Sequence, residues 1–211
     1  MKFIAIIFAV TVFFTGVSAQ KKPVPAATPS EKNRFDSAVA IENALARAAA
    51  LRSFLEDFPT SSHVIDAGER LVAARADGAN AMLQTSQPTE AINLLKTTVA
   101  EAPEPISQKI FAEAISKFPM LLFLSGQRAA AVEIAGLIEK RVEADAGKLL
   151  TLANFFIATE NSTDALRLAG RAVEIDPTSA AGHQILGLAQ RLNFDIENAV
   201  GAYKKALDLD P

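Results

Sequence analysis

The sequence RAVEIDPTS at residues 171–179 returns in altered form as KALDLDP at residues 205–211. In both copies a basic residue and an alanine come first, and Asp-Pro follows. Pro177 and Pro211 are 34 residues apart (211 − 177). A fixed period of about 34 residues is typical of helical repeat proteins, in which each unit is a pair of helices packed on the next. The stretch therefore predicts the fold class before any local pattern is considered.

The two units align over their whole length, one from Ala146 and the other from Ala180. Small side chains at fixed points let two antiparallel helices approach closely. Each proline ends the second helix of its unit, because it has no backbone N–H donor and clashes with the preceding turn. The equivalent small residues are Ala153 and Gly187, Ala165 and Ala199, and Ala172 and Ala206.

This set of residues resembles the tetratricopeptide repeat family, and the resemblance covers Ala146 to Pro211. The sequence departs from the family at His183 and Gln190, where bulky apolar residues are usual, and at Ala169, where an aromatic residue or Leu is common. The resemblance implies an all-α fold, a right-handed α-solenoid of antiparallel helix pairs. Residues 146–211 are predicted to form two clear units.

Weaker copies of the unit are predicted over residues 34–145. The segment ANAMLQTSQPTEAINLLKTTVAEAP carries Ala79, Ala91, Leu95 and Pro103 at matching offsets. Apolar residues between Phe35 and Leu55 recur every three or four positions, which predicts one helix ended by Pro59. Further helices are expected over about 62–83 and 89–100, and Pro119 is expected to kink or break a helix. In all, about nine helices are expected.

The N-terminus has the pattern of an export signal over residues 1–19. Lys2 precedes an apolar run, and Val17-Ser18-Ala19 is a pattern that a signal peptidase accepts, so that cleavage leaves Gln20 first. The alternative is an uncleaved membrane anchor, because the apolar segment is close to the shortest that spans a bilayer. Residues 20–33 are Pro-rich and predict an extended linker. The protein is therefore expected to be periplasmic or secreted, with no membrane span after cleavage.

The composition excludes several classes of function. The net charge is −3, and the basic residues are scattered among acidic ones, which argues against a nucleic-acid partner. There is no cysteine, so no disulfide contributes to stability. The two histidines, His63 and His183, lie in no metal-ligand or nucleophile–base motif, and no Gly-rich phosphate loop occurs. We therefore expect no catalytic residues, no metal site and no cofactor.

The family resemblance implies a concave groove lined by the first helix of each unit. The alternative role of the leucines on that face is packing, and that of the polar residues is ordinary solvated surface. We predict a non-enzymatic protein–protein interaction scaffold outside the cytoplasm, which binds a peptide or protein segment in this groove. The residues that the resemblance places there are Leu150, Asn154, Gln184, Leu188 and Arg191.

Two alternatives stay open. Repeat stacks usually close with a polar helix, and none follows Pro211 in this sequence. The chain is then the accessory N-terminal repeat region of a longer exported enzyme, whose catalytic part lies beyond residue 211. Alternatively, the protein associates with itself through the uncapped C-terminal repeat, whose outer face is expected to include Ile196, Val200 and Leu207.

Overall fold

A computed structural model describes residues 29–210, and within that range all the regular structure is helical. The predicted signal of residues 1–19 and most of the predicted linker lie outside the described residues. The helices in chain order are α1 (Pro29–Val39), α2 (Ala44–Asp57), α3 (Val64–Gln84), α4 (Pro88–Ala100), α5 (Gln108–Glu113), a 3-10 turn (Ile115–Lys117), α6 (Phe118–Leu124), α7 (Arg128–Val142), α8 (Ala146–Ala158), α9 (Ser162–Ile175), α10 (Ala180–Leu192) and α11 (Ile196–Leu209).

Helices that follow one another along the chain pack as pairs, and the pairs stack. The main pairs are α2 with α3, α3 with α4, α6 with α7, α8 with α9, and α10 with α11. Helix α10 also packs on α8 and α9, so the last two units are in side-by-side contact. Short turns join the partners, which makes them antiparallel. The predicted all-α solenoid of helix pairs is confirmed.

Four helix pairs in the described range share one turn geometry. The central residue of each turn has a positive φ: Ser86, Gly126, Glu160 and Phe194, at 61°, 79°, 57° and 60°. The backbone N–H of the next residue donates to the carbonyl five positions back, at 2.9 Å in all four turns. This bond satisfies a carbonyl that the helix end would otherwise leave without a donor. The turns after Glu160 and Phe194 lie 34 residues apart (194 − 160), which matches the period in the sequence.

The N-terminal part departs from expectation in two places. The single helix expected over residues 35–58 is divided in two, because Asn43 caps α2 by accepting a hydrogen bond from the Ala46 backbone N–H at 3.0 Å. Helix α1 also begins at Pro29, so residues 29–33 are helical where an extended linker was expected. The described range holds eleven α-helices instead of about nine.

Pro119 begins a helix and does not break one. It lies in the first turn of α6, directly after the 3-10 turn. A proline is tolerated there because the first backbone N–H groups of a helix have no intrahelical acceptor. The expected kink is therefore a helix start, and α6 pairs with α7 as the first helix of its own unit.

Two basic side chains hold the segment that joins α4 to α5. The Arg141 guanidinium donates to the backbone carbonyls of Val99, Ala100 and Ala102 at 3.0, 2.7 and 2.8 Å. The buried Lys148 ammonium donates to the Ile106 carbonyl at 2.9 Å. These contacts fasten the end of α4 to α7 and α8, because charged donors make the stronger hydrogen bonds.

Replacing Arg141 with Met should lower the free energy of unfolding by about 2 to 3 kcal/mol, because several hydrogen bonds from a charged, mostly buried donor are lost. The control is Arg171→Met, since Arg171 pairs with Glu174 on a surface where its side chain is 58% exposed. That variant should stay within about 0.5 kcal/mol of the parent. Equal urea-denaturation midpoints for the two variants would contradict the role of Arg141.

Glycine at position 187 makes room for an aromatic ring in the last unit. A Cβ atom added to Gly187 would lie 2.7 Å from Tyr203 Cε1 and 2.9 Å from Cδ1. In the preceding unit, the residues at the same register are Ala153 and Ala169, and both are 0% exposed. The last unit therefore has Gly187 and Tyr203 at the two positions where the preceding unit has Ala153 and Ala169.

Gly187→Leu should destabilise the protein by about 1 to 3 kcal/mol, because the added side chain must displace the Tyr203 ring. Gly201 offers a matched control on α11, since nothing lies within 4 Å of the position its Cβ would take. Gly201→Leu should be neutral or stabilising by up to about 1 kcal/mol, as Leu favours helix more than Gly does. Thermal melts compare the two variants, and equal melting temperatures would refute the register.

Candidate protein-binding surface

The first helices of the last two units, α8 and α10, each begin with a side-chain cap. Asp145 accepts a hydrogen bond from the Lys148 backbone N–H at 3.0 Å at the start of α8. Ser179 accepts from the Gly182 backbone N–H, also at 3.0 Å, at the start of α10. Both caps satisfy a donor that the first turn leaves free. Because α8 and α10 contact each other, they form one continuous surface.

The residues predicted to line a groove have different exposures. Asn154 on α8, and Gln184 and Arg191 on α10, are exposed, and Leu188 is half-buried. Leu150 is only 7% exposed and belongs to the main core cluster. Its side chain therefore packs between helices and is not available to a partner. The accessible residues of the predicted groove are Leu188 and the three polar residues, Asn154, Gln184 and Arg191.

A pocket of about 430 Å³ lies between α10 and α11, at the start of one and the end of the other. Gln184 lines it together with Tyr203 and Leu207. Most of its lining comes from small or apolar side chains, which suits an apolar group. The structure thus brings one predicted groove residue into a second site that the sequence pattern did not indicate.

Phe194 is a candidate binding residue that sequence reasoning missed. It stands at the centre of the α10–α11 turn with a φ of 60°, and it is 90% exposed. A bulky residue at positive φ is an outlier. The 34-residue period could have indicated Phe194, because it places this large apolar residue at the turn position that holds Glu160 in the preceding unit.

Each histidine ring contacts a neighbouring group. The His63 ring stacks on Phe35 with the ring centroids 4.5 Å apart. His183 Nε2–H donates to the carbonyl oxygen of Pro177 at 3.0 Å. Over residues 29–210, no group of three or more His, Cys, Asp or Glu is arranged to hold a metal ion. In the same range, no helix combines the length and apolar character needed to cross a membrane.

One titratable group on this surface has a shifted pKa. Burial by itself raises the pKa of the Asp145 carboxyl, but hydrogen bonds from the Lys148 side chain and backbone, with the Lys148 charge, outweigh it. The net result is a pKa below the ordinary value of 3.8. A group whose pKa is lower in the folded state stabilises the fold above its unfolded-state pKa and loses that effect as the pH falls through the folded pKa.

Asp145→Asn should therefore be destabilising at neutral pH and much less so in acid. Asn still caps a helix, so the difference isolates the carboxylate charge and its pair with Lys148. Urea-denaturation free energies of variant and parent should differ at about pH 7 and converge as the pH falls below about 4. Glu174→Gln, on an exposed surface pair, is the control. A gap that persists unchanged into acid would contradict the assigned pairing.

Comparison with known proteins gives distant structural likenesses only. No model of a known protein family matches the chain, and no curated protein matches it. A crystal structure of MamA covers 88% of this chain and 96% of its own, at 18% identity and a TM-score of 0.47. MamA from Desulfovibrio magneticus RS-1 covers 86% and 93%, at 14% identity and a TM-score of 0.46.

A third solved structure is that of YrrB, a TPR protein with an unusual peptide-binding site. It covers 88% of this chain and 87% of its own, at 15% identity and a TM-score of 0.47. Likenesses this distant transfer no binding site, because function depends on individual residues and not on a shared architecture. The repeat architecture of this chain rests on its own helix pairs and turns.

Proposed function

We propose that this protein is a non-enzymatic protein–protein interaction scaffold that acts outside the cytoplasm and binds a peptide or protein segment across α8 and α10. The observation that carries the proposal is the exposed polar surface of these two adjacent helices. Asn154, Gln184 and Arg191 face solvent on helices whose opposite sides are fixed in the core. Side chains of this kind form hydrogen bonds to a partner without rearrangement of the helices that carry them.

Half-buried Leu188 adds an apolar contact beside the polar ones. A surface with an apolar centre and a polar rim is the usual composition of a protein-binding site. Peptide recognition is therefore the function that these residues support best.

A photo-crosslinking amino acid at position 154 or 191 tests this proposal in the producing cells. Both positions are exposed and should give an adduct with a different protein. The control is position 171 on α9, which is also exposed but lies on the second helix of its unit. Adducts that form equally well from position 171, or from none of the three, would contradict binding across α8 and α10.

Export is the second part of the proposal, and it is supported by the residue pattern at positions 1–19. The intact mass of the released protein should correspond to a chain that begins at Gln20. Ala19→Arg should block processing, because a signal peptidase requires a small residue there. Ala27→Arg, in the Pro-rich segment, is the control and should be processed normally. A product that keeps Met1 in the membrane fraction would replace the exported form with an anchored one.

A further inference from the structure

Helix α11 carries an apolar stripe that faces solvent. Ile196, Val200 and Leu207 are 56%, 46% and 65% exposed, and Tyr203 between them is half-buried. Their spacing of i, i+4, i+7 and i+11 places all four on one side of the helix. Among the described residues, four of the eight exposed large hydrophobic side chains belong to the last unit, Phe194 being the fourth. Exposed apolar patches of this kind mark interaction sites.

The same face of α9, one unit earlier, is covered by a helix. The Ser162 hydroxyl donates to Asn193 Oδ1 at 3.2 Å, at the end of α10. At the other end of α9, a Cβ on Gly182 would lie 3.3 Å from Val173 Cγ2. Ala169, between these contacts, is 0% exposed. Ser162 and Val173 are the 34-residue equivalents of Ile196 and Leu207, so this face of a second helix is a helix-docking surface within the chain itself.

The exposed face of α11 differs from the covered face of α9, and the difference indicates which kind of partner binds α11. Helix α10 packs on both α8 and α9, and position 150 on α8 is apolar and 7% exposed. Its equivalent on α10 is Gln184, which is polar and exposed. Burying such a side chain without a partner is unfavourable. A helix that packed on the last unit as α10 packs on α8 and α9 would have to cover Gln184 as well as α11. The exposed face therefore favours a partner that centres on α11.

Phe194 and the pocket between α10 and α11 form a projection and a cavity at opposite ends of α11. Phe194 lies two residues before the start of α11 and is 90% exposed. The pocket of about 430 Å³ lies at the other end, beside Leu207. The two are separated by about 20 Å along the helix. A projection and a cavity at opposite ends of one helix can satisfy each other when a second copy is related by a two-fold axis.

We propose that two copies of this chain pair through α11 in antiparallel orientation, each with Phe194 in the pocket between α10 and α11 of the other. The pairing sets Ile196 against Leu207 of the second copy, and Val200 against Tyr203. It also brings exposed Glu197 of one copy towards exposed Lys204 of the other, with Asp208 nearer the end of the helix. Opposite charges beside an apolar stripe fix orientation more than they add affinity.

The pairing also accounts for an aromatic residue in the turn. Left-handed backbone costs a non-glycine residue about 1 to 2 kcal/mol. The equivalent turn residues in the other units are Ser86, Gly126 and Glu160, so the turn does not require an aromatic ring. The positive φ itself belongs to the turn that all four pairs share, so the feature that needs an explanation is the exposed aromatic side chain at this one turn.

Sedimentation equilibrium of the purified chain tests the proposal first. The wild type should approach twice its monomer mass between about 1 and 100 µM. Phe194→Gly should raise the dissociation constant at least about tenfold, because the anchoring ring is lost. Glycine adopts a positive φ without strain, so this variant should keep the helical content of the wild type. Glu160→Gly makes the same change one unit earlier and should leave association unchanged.

A mixture of two charge variants tests the orientation. Ile196→Lys and Leu207→Glu should each be monomeric alone, because each buries a charge against an apolar side chain in the pair. Mixed in equal amounts, they should form a heterodimer. Antiparallel pairing sets the introduced lysine of one copy against the introduced glutamate of the other, and it leaves the unchanged Leu207 and Ile196 in contact at the opposite end. A parallel pairing would not be restored by mixing.

Three results would overturn the proposal. A wild type that stays monomeric throughout this range would leave the face to a helix from another protein or from a longer chain. A dimer that Phe194→Gly does not weaken would lie elsewhere on the molecule. A dimer that the charge variants weaken, but that mixing does not restore, would not be antiparallel. The adducts expected from positions 154 and 191 concern a different protein, so each idea can fail without the other.

Discussion

The close approach of the two helices in each unit is the constraint on which the rest of the structure depends. In α8 and α9 it is met by Ala153 and Ala169, both fully buried, and in α10 and α11 by Gly187 and the Tyr203 ring. Both solutions keep the combined bulk within limits that let the helix backbones pack. A larger residue at either position would push the helices apart. Since every unit packs on its neighbour, such a change would also disturb the contacts between units.

The turns explain which parts of the fold were predictable. The boundaries of α8 to α11 follow from short signals, namely Asp-Pro at the unit end and capping residues such as Ser179 and Asp145. The division between α1 and α2 follows from Asn43, whose capping role is invisible within a regular apolar pattern. Pro119 was misassigned because a proline in the first turn and one inside a helix look alike in a local window.

The candidate surface was predictable where exposure follows from helix face alone, as for Asn154 and Arg191. Leu150 is buried by its neighbours in the stack, which agrees with the packing role given as the alternative for the leucines of that face. Its equivalent, Gln184, sits at the same register and is exposed. The difference between them is a property of the stack and not of either helix, so no pattern within one unit reports it.

The exposed residues of the last unit are therefore polar on α10 and apolar on α11. Along α10 the exposed position is polar, as solvent favours, while along α11 the stripe from Ile196 to Leu207 is more apolar than the covered stripe that begins at Ser162. Solvent alone would favour the reverse on α11, because apolar exposure lowers solubility. A contact centred on α11 satisfies both, since it buries the stripe and meets Gln184 only along the edge of the pocket, where a polar side chain keeps its hydrogen bonds to water.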